Sequence, residues 1–194
     1  MRKLFSCAVV LLIAIFSFVL PAVLQPVTIA AAKSESSYCY LYGDPYGKYY
    51  KMKKSGWQWI YSNKDQYAVV EEKNDGIMLH PGNQGDVMRG WQSAGKGTIR
   101  VHGSISLEHA PDGTVSEING ILFTLVIKRK QESGYAAAQA LDGFDKVLLN
   151  TSSGLIFDIV IEDIKMGDVI LAAVNANGNN NSDGNRVSFS VDFK

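Results

Sequence analysis

The sequence has few cysteines, few prolines and no excess of charge of either sign. Among 194 residues there are two Cys and five Pro, and 19 Lys and Arg balance 19 Asp and Glu. The balanced charge argues against a nucleic-acid partner, since nucleic-acid binders carry a strong basic field. Charged residues make up 20% of the chain and aromatic residues 10%, which is typical of a globular domain and excludes a disordered polar chain.

The N-terminal 32 residues have the order of a secretion signal. Arg2 and Lys3 precede an almost wholly apolar stretch at 4–20, and the small-residue run Ala30 to Ala32 follows. This order predicts a signal peptide at 1–32, cleaved after about Ala32, and hence a secreted protein, extracellular or associated with the cell wall. A retained membrane anchor is the alternative, because the apolar stretch is long enough to span part of a bilayer. After cleavage we expect no membrane span.

After cleavage one cysteine remains, so the mature chain cannot form an intrachain disulfide. Cys39 lies in a polar, tyrosine-rich lead at 33–56. We expect its thiol to be buried or inert, with pairing between two chains as the alternative. At this size a single domain buries enough surface to fold without a disulfide.

Apolar and polar residues alternate along most of the remaining chain. The stretches 99–107, 121–127, 155–161 and 187–193 each alternate with a period of two, which predicts strands with one face on a core. Turn-forming residues separate these stretches. We therefore predict an all-β fold, a single antiparallel β-sandwich over 57–194, with a hairpin formed by 147–151 and 154–164. The best candidate for a short helix is 135–141.

Sequence motifs for catalysis are lacking. The three histidines, at 80, 102 and 109, do not have the spacing of a metal-binding helix, and no serine stands in a G-x-S-x-G motif. Asp158 and Glu162 share one face of a predicted strand, but four residues separate them by about 13 Å, too far for a retaining or inverting carboxylate pair. Carboxylates from different strands can still converge, so a small polysaccharide lyase or hydrolase stays open.

Several short motifs follow one another in a fixed order. They are the H-P-G at 80–82, the D-x-x-R-x-W at 86–91, the G-T-I-R-V at 97–101, the G-D at 167–168 and the Asn-rich loop at 175–185. This order, from about Ile77 to Lys194, resembles the secreted bacterial jelly-roll (galactose-binding-like) carbohydrate-binding modules. The resemblance implies a jelly-roll sandwich and a polysaccharide or cell-wall polymer as partner. Such modules usually accompany a catalytic domain, whereas this chain is almost entirely module.

Carbohydrate binding requires aromatic faces that stack on sugar rings and polar groups that orient hydroxyls. The candidate ligand-binding residues are Trp57, Trp59, Tyr46, Tyr49, His80, Asn83 and Arg89. Trp57 and Trp59 are two positions apart, so we expect both to point to one face of one strand. The alternative is structural: both tryptophans are buried, as we expect for Trp91, and the tyrosines cover the core. The basic cluster at 48–54 is a candidate binding site for an anionic polymer, and the alternative is a solvated loop with no partner.

The Asn-rich loop offers oxygen ligands for a cation. Asn177, Asn179 and Asp183 are the candidate ligands of a structural Ca²⁺, which prefers carboxylate and carbonyl oxygens. The loop lacks the closing Glu of an EF-hand. Asn and Asp also form tight turns through their own side chains, so a plain loop is the alternative.

The sequence thus predicts a secreted, non-catalytic binding module for carbohydrate or a cell-surface polymer, with a structural calcium ion as an open option. One alternative is a structural or assembly protein of the cell surface or spore coat that binds a protein partner. A lyase or hydrolase is the third hypothesis. Exposed aromatics in a concave face favour the first hypothesis, and a flat apolar patch or a free sheet edge favours the second. A cleft that holds His with Tyr, Arg or carboxylates favours the third.

Overall fold

A computed structural model describes residues 38–61, 68–73, 76–108, 120–150, 154–178 and 184–194. The predicted signal peptide at 1–32 lies outside the described residues. The regular elements of the described part are all strands: β1 (Tyr38–Gly43), β2 (Tyr49–Lys51), β3 (Lys53–Ser55), β4 (Gln58–Ile60), β5 (Val69–Lys73), β6 (Gly76–His80), β7 (Asp86–Gln92), β8 (Gly97–Leu107), β9 (Ile121–Lys128), β10 (Lys130–Gln131), β11 (Gly134–Tyr135), β12 (Gln139–Ala140), β13 (Val147–Leu149), β14 (Leu155–Ile164), β15 (Val169–Asn175) and β16 (Asn185–Phe193).

Two antiparallel sheets pack face to face, so the predicted all-β sandwich is confirmed. Sheet A has the order β12-β9-β15-β7-β1-β2, and β13 also pairs with β9. Sheet B has the order β14-β8-β16-β6-β5-β4-β3. A small hairpin, β10–β11, stands apart from both. The described residues contain no helix that could span a membrane.

The alternation seen in the sequence sets which side chains enter the core. In β8, Ile99, Val101 and Ile105 are fully buried between the sheets, while Arg100 and Ser104 face solvent. Trp91 is only 1% exposed, which confirms its predicted place in the core. Burial of such alternating rows supplies most of the stability of a sandwich, at about 25 cal/mol per Å² of apolar surface.

The tyrosine-rich lead at 33–56 contributes strands to both sheets. β1 pairs with β7 over six residues and with β2 on its other side, at the margin of sheet A. β3 pairs with β4 at the margin of sheet B. Cys39, in β1, is half-buried opposite Gly90, and burial raises the pKa of its thiol.

Two local predictions were wrong. The segments 147–151 and 154–164 do not form a hairpin, because β13 pairs with β9 in sheet A whereas β14 pairs with β8 in sheet B. The chain crosses from one sheet to the other at this point. The helix considered at 135–141 is instead the end of the β10–β11 hairpin followed by β12. Pairing of β12 with β9 supplies the backbone hydrogen bonds that a helix would have formed internally.

Candidate functional site

A pocket of about 680 Å³ opens at one end of sheet A, where β1 and β15 end and β7 and β9 begin. We call it the tyrosine pocket. Its lining residues are Tyr42, Gly43, Asp44, Pro45, Tyr46, Lys48, Tyr50, Asn83, Gln84, Gly85, Asp86, Leu122, Thr124, Lys146 and Asn175. Strand register brings these distant segments together: Gly43 pairs with Asp86, and Asn175 pairs with Leu122.

The aromatic wall of the pocket belongs to a cluster of stacked tyrosines. Tyr42 stacks on Tyr61 with ring centroids 4.5 Å apart, and Tyr50 lies 5.3 Å from the same Tyr61 ring. Tyr42 is buried, whereas Tyr50 is 41% exposed. The ammonium group of Lys48 lies 5.0 Å from the centre of the Tyr50 ring. Tyr50 thus packs against Tyr61 and Lys48 and still exposes part of its side chain at the pocket.

A tight loop between β1 and β2 positions the acidic side of the pocket. The Asp44 carboxylate accepts a hydrogen bond from the backbone N–H of Tyr46 at 2.9 Å, and the Gly47 N–H donates to the Asp44 carbonyl at 3.1 Å. Gly43 permits this loop, because a Cβ there would lie 2.5 Å from the Lys48 carbonyl oxygen. Its φ of 138° also lies in the region that favours glycine.

Tyr46 joins this loop to the turn before β13. Its hydroxyl donates to the Asp145 carboxylate at 2.5 Å, across 99 residues of chain. The pKa of Tyr46 is raised, mainly by burial and secondly by this hydrogen bond. The neighbouring Lys146 has a φ of 51°, and its backbone N–H donates to the Thr124 hydroxyl at 3.1 Å. A non-glycine residue in this region is uncommon and costs of order 1 kcal/mol, which the surrounding contacts must offset.

Asp86 is the most shielded carboxylate of the pocket. The side-chain amide of Asn175 donates to Asp86 Oδ1 at 2.6 Å, and Asn175 in turn accepts the Asn177 N–H at 2.9 Å. Burial raises the pKa of Asp86, the Asn175 hydrogen bond opposes that shift, and the nearby Asp44 adds to it. A carboxyl held in this way is a fixed, poorly solvated hydrogen-bonding group that a ligand hydroxyl can satisfy.

Two of the predicted ligand-binding residues, Tyr46 and Asn83, line the tyrosine pocket. Tyr49 is half-buried on the outer face of sheet A, where the Lys128 ammonium lies 4.5 Å from its ring centre. His80 ends β6 in sheet B and is half-buried, so the pKa of its imidazole is lowered by desolvation. Gly184 lies against His80, since a Cβ at Gly184 would be 3.3 Å from the ring.

Trp57, Trp59 and Arg89 lie elsewhere in the fold. Trp57 occupies the turn between β3 and β4 and is 63% exposed, so it does not share a strand face with Trp59. The Trp59 ring packs against the core, 5.2 Å from Tyr40, and its indole N–H is buried without a hydrogen-bond partner. Arg89 lies in β7, with its guanidinium carbon 4.5 Å from the centre of the Tyr38 ring.

The predicted calcium ligands are only partly described. Asn177 follows β15 in a turn, where its φ of 46° and its N–H bond to Asn175 are features of an Asx-type turn. Asn179 and Asp183 lie outside the described residues. Within the described ranges, no group of three His, Cys, Asp or Glu side chains could hold a metal ion. The calcium hypothesis stays a prediction.

Of the fifteen residues that line the pocket, the sequence predicts only Tyr46 and Asn83 as ligand-binding. It does not predict Asp44, Tyr50, Asp86 or Asn175 in that role, although Asp86 lies in the D-x-x-R-x-W motif and Tyr50 in the tyrosine-rich lead. No local sequence pattern links Asp44 to Asp86 and Asn175, because their proximity depends on how β1, β7 and β15 pair. Only the strand order would have revealed it.

Comparison with known proteins assigns no family to the chain. No family model matches it, and a search of curated proteins gives no significant match.

Proposed function

We propose that the protein is a secreted module that binds a carbohydrate or glycan-containing cell-surface polymer in the tyrosine pocket. One observation carries the proposal: the pocket joins partly exposed tyrosine rings to a ring of amide and carboxylate groups. Sugars present both an apolar ring face and a set of hydroxyls, and such a lining matches the two together. The resemblance to jelly-roll carbohydrate-binding modules supports the same ligand class.

The size of the pocket suits a small segment of glycan. Its volume of about 680 Å³ lies within the range of roughly 300–1,000 Å³ typical of small-molecule sites. Tyr50 supplies the partly exposed ring, and Asn83, Gln84 and Asp86 supply donors and acceptors around it. Because the loop and strand contacts fix several of these groups before a ligand arrives, binding would cost little ordering of the protein.

The charge of the lining favours an uncharged glycan over a polyanion. Two lysines, Lys48 and Lys146, are balanced by Asp44 and Asp86. A polyanion would meet as much repulsion as attraction in this pocket. The other lysines of the basic cluster, at 51, 53 and 54, do not line the pocket.

Retention on insoluble polysaccharides and cell-wall sacculi, with soluble sugars as competitors, tests the proposal. We expect retention on at least one matrix and its loss when a matching soluble sugar is added. Tyr50→Ala should weaken retention about tenfold, a loss of ~1.4 kcal/mol. Tyr135→Ala is the matched control, because Tyr135 is 39% exposed, nearly as much as Tyr50 at 41%, but lies outside the pocket.

Three results would count against glycan binding. They are retention on no matrix, retention that soluble sugar does not reduce, and equal losses in the Tyr50 and Tyr135 variants. The last result would mean that any exposed tyrosine serves, so that the pocket has no special role.

A hydrolase is the second candidate, because Asp44 and Asp86 line the same pocket. The raised pKa of Asp86 would suit a general acid, and a second carboxylate would suit a base or nucleophile. Incubation of the wild-type protein with its retained glycan separates the two functions. A binding module releases no soluble reducing sugar, whereas a hydrolase releases sugar and loses that release in Asp86→Asn.

A further inference from the structure

The hairpin of β3 and β4 presents a tryptophan at its tip. Ser55 pairs with Gln58, so Gly56 and Trp57 form a two-residue turn. The φ of 62° at Gly56 suits the first central position of a type II′ turn, which matches the twist of the two strands. Trp57 is 63% exposed, and a Cβ on Gly56 would have no described atom within 4 Å beyond its chain neighbours. The turn thus projects a large amphipathic side chain away from the sandwich.

Lysines stand directly behind this tip. β3 has the sequence KKS with all three residues exposed, and the exposed Lys51 lies just before it. Among the described residues, no carboxylate forms an ion pair with Lys51, Lys53 or Lys54. Lys54 and Lys53 lie one and two residues before Ser55, within about 7 Å of it along the strand. Their long side chains can therefore reach the level of the turn.

The positive charge is local to this part of the chain. The stretch 48–75 contains six lysines and four carboxylates, a net charge of +2, whereas the whole chain has a net charge of 0. Both carboxylates on the strand beside the hairpin have partners of their own. Glu71 pairs with Lys73 at 3.3 Å, and Glu72 accepts a hydrogen bond from the Tyr40 hydroxyl at 2.9 Å. The lysines of β3 therefore remain available to an anionic partner.

The combination of charge and shape favours a lipid surface over a soluble polyanion. A polyanion could pair with the lysines, but a lone indole at a projecting tip gives it little to contact. The headgroup layer of an anionic bilayer offers both partners at once. Its phosphate groups attract ammonium groups, and its mixed polarity is the environment in which tryptophan is enriched in membrane proteins. A two-residue turn can enter this layer while the strands stay outside it.

We propose that the β3–β4 hairpin docks the protein on a bilayer rich in anionic lipids, with Trp57 in the headgroup layer and Lys53 and Lys54 on lipid phosphates. Two weak signals, an indole and a group of lysines, then act together, as stable attachment of a peripheral protein requires. This inference is independent of glycan binding, because none of these three residues lines the tyrosine pocket.

Docking in this way leaves the tyrosine pocket open. β4 begins at Gln58, beside the turn, and ends at Ile60. Tyr61 follows, and its ring stacks on Tyr42 of the pocket with centroids 4.5 Å apart. The tip and the pocket thus lie toward opposite ends of the hairpin. A docked protein would turn its pocket away from the bilayer, where a glycan can reach it.

Sedimentation with lipid vesicles tests the proposal. The protein is mixed with vesicles of phosphatidylglycerol and phosphatidylcholine in equal parts, or of phosphatidylcholine alone, at low and at high salt. We expect binding to the anionic vesicles only, and its loss at high salt because salt screens the lysines. The double variant Lys53→Gln, Lys54→Gln should bind about 25-fold more weakly, at about fivefold for each lysine. Trp57→Ala should bind about tenfold more weakly.

Matched controls separate the hairpin from the charge of the whole chain. The double variant Lys96→Gln, Lys165→Gln removes the same charge from two exposed lysines beside β8 and β14, on the far side of sheet B. Ile156→Ala removes an apolar side chain that is 83% exposed on β14. Both controls should bind like the wild type. Circular dichroism and unfolding curves like those of the wild type would exclude misfolding as a cause of weaker binding.

Tryptophan fluorescence reports where the indole lies. A blue shift of the emission on addition of anionic vesicles, absent in Trp57→Ala, would support insertion of the tip. No binding of the wild type to anionic vesicles at low salt would overturn the proposal. So would unchanged binding of Trp57→Ala, or equal losses in the two lysine double variants. Binding to soluble polyphosphate without binding to vesicles would also overturn it and would assign the lysines to an anionic polymer.

Discussion

Asp168 is the buried carboxylate on which the turn between β14 and β15 depends. Its side chain is fully buried and accepts three hydrogen bonds: from the Lys130 N–H at 2.7 Å, the Lys165 N–H at 2.9 Å and the Arg129 guanidinium at 3.1 Å. In the sequence it belongs to the G-D motif at 167–168. Its contacts give it a structural role, and Asp168→Asn tests that role.

The expected magnitude follows from these three donors. An asparagine has one acceptor oxygen, so in either orientation its NH₂ group faces at least one N–H that has lost its acceptor. A buried unsatisfied donor costs about 1–3 kcal/mol, and loss of the charge opposite Arg129 adds to that. We expect Asp168→Asn to lower the free energy of unfolding by about 3 kcal/mol. For a domain of this size the melting temperature would fall by roughly 6–12 °C.

Urea unfolding, followed by tryptophan fluorescence to which the buried Trp91 contributes, measures the effect. The midpoint should move to lower urea with an unchanged slope, because the surface exposed on unfolding stays the same. Asp142→Asn is the matched control: Asp142 is exposed in a turn, and its change should stay within about 0.5 kcal/mol. A loss below about 1 kcal/mol for Asp168→Asn would refute the structural reasoning.

Three further predictions concern pH and packing. Burial raises the pKa of Asp86 above its unfolded value, so ionisation destabilises the fold; Asp86→Asn should raise the melting temperature at pH 7, and this gain should shrink as pH falls through the Asp86 pKa. Burial lowers the pKa of His80, so the wild type should lose stability as pH falls below 6.5, and His80→Gln should flatten that loss. Gly103→Ala should cost about 3 kcal/mol or more in unfolding free energy, because the new Cβ would lie 2.0 Å from the Ser188 carbonyl oxygen.

The packing prediction has a matched control. Gly184→Ala places its Cβ 3.3 Å from a side-chain atom of His80, not 2.0 Å from a backbone oxygen, and should be far milder than Gly103→Ala. Asp86→Asn should also weaken glycan retention, so a variant that is more stable yet binds less would identify Asp86 as a functional residue. A stability of Asp86→Asn equal to that of the wild type from pH 7 to pH 4 would contradict the assigned cause of the pKa shift.

The strands were predictable because burial of one strand face makes apolar and polar residues alternate along the sequence. β8 illustrates this, since Ile99, Val101 and Ile105 face the core as the alternation requires. The partner of each strand was not predictable. Turn residues between β13 and β14 indicate that the chain bends, but not whether it returns to the same sheet or crosses to the other.

The pocket was predicted only in part for the same reason. Tyr46 and Asn83 were singled out from residue type, and both line it. Trp57 and Trp59 were expected to share a strand face because two positions separate them, but a turn at 56–57 breaks the parity on which that argument depends. Asp86 and Asn175 meet across 89 residues of chain, and pairing of β7 with β15 alone brings them together.

Calorimetric titration of the soluble competitor sugar into the wild type, Tyr50→Ala and Tyr135→Ala tests glycan binding in the tyrosine pocket most directly. We predict saturable binding to the wild type, about tenfold weaker binding to Tyr50→Ala and unchanged binding to Tyr135→Ala. Equal affinity of all three proteins would place the sugar elsewhere, and no heat of binding in the wild type would contradict glycan binding at this pocket.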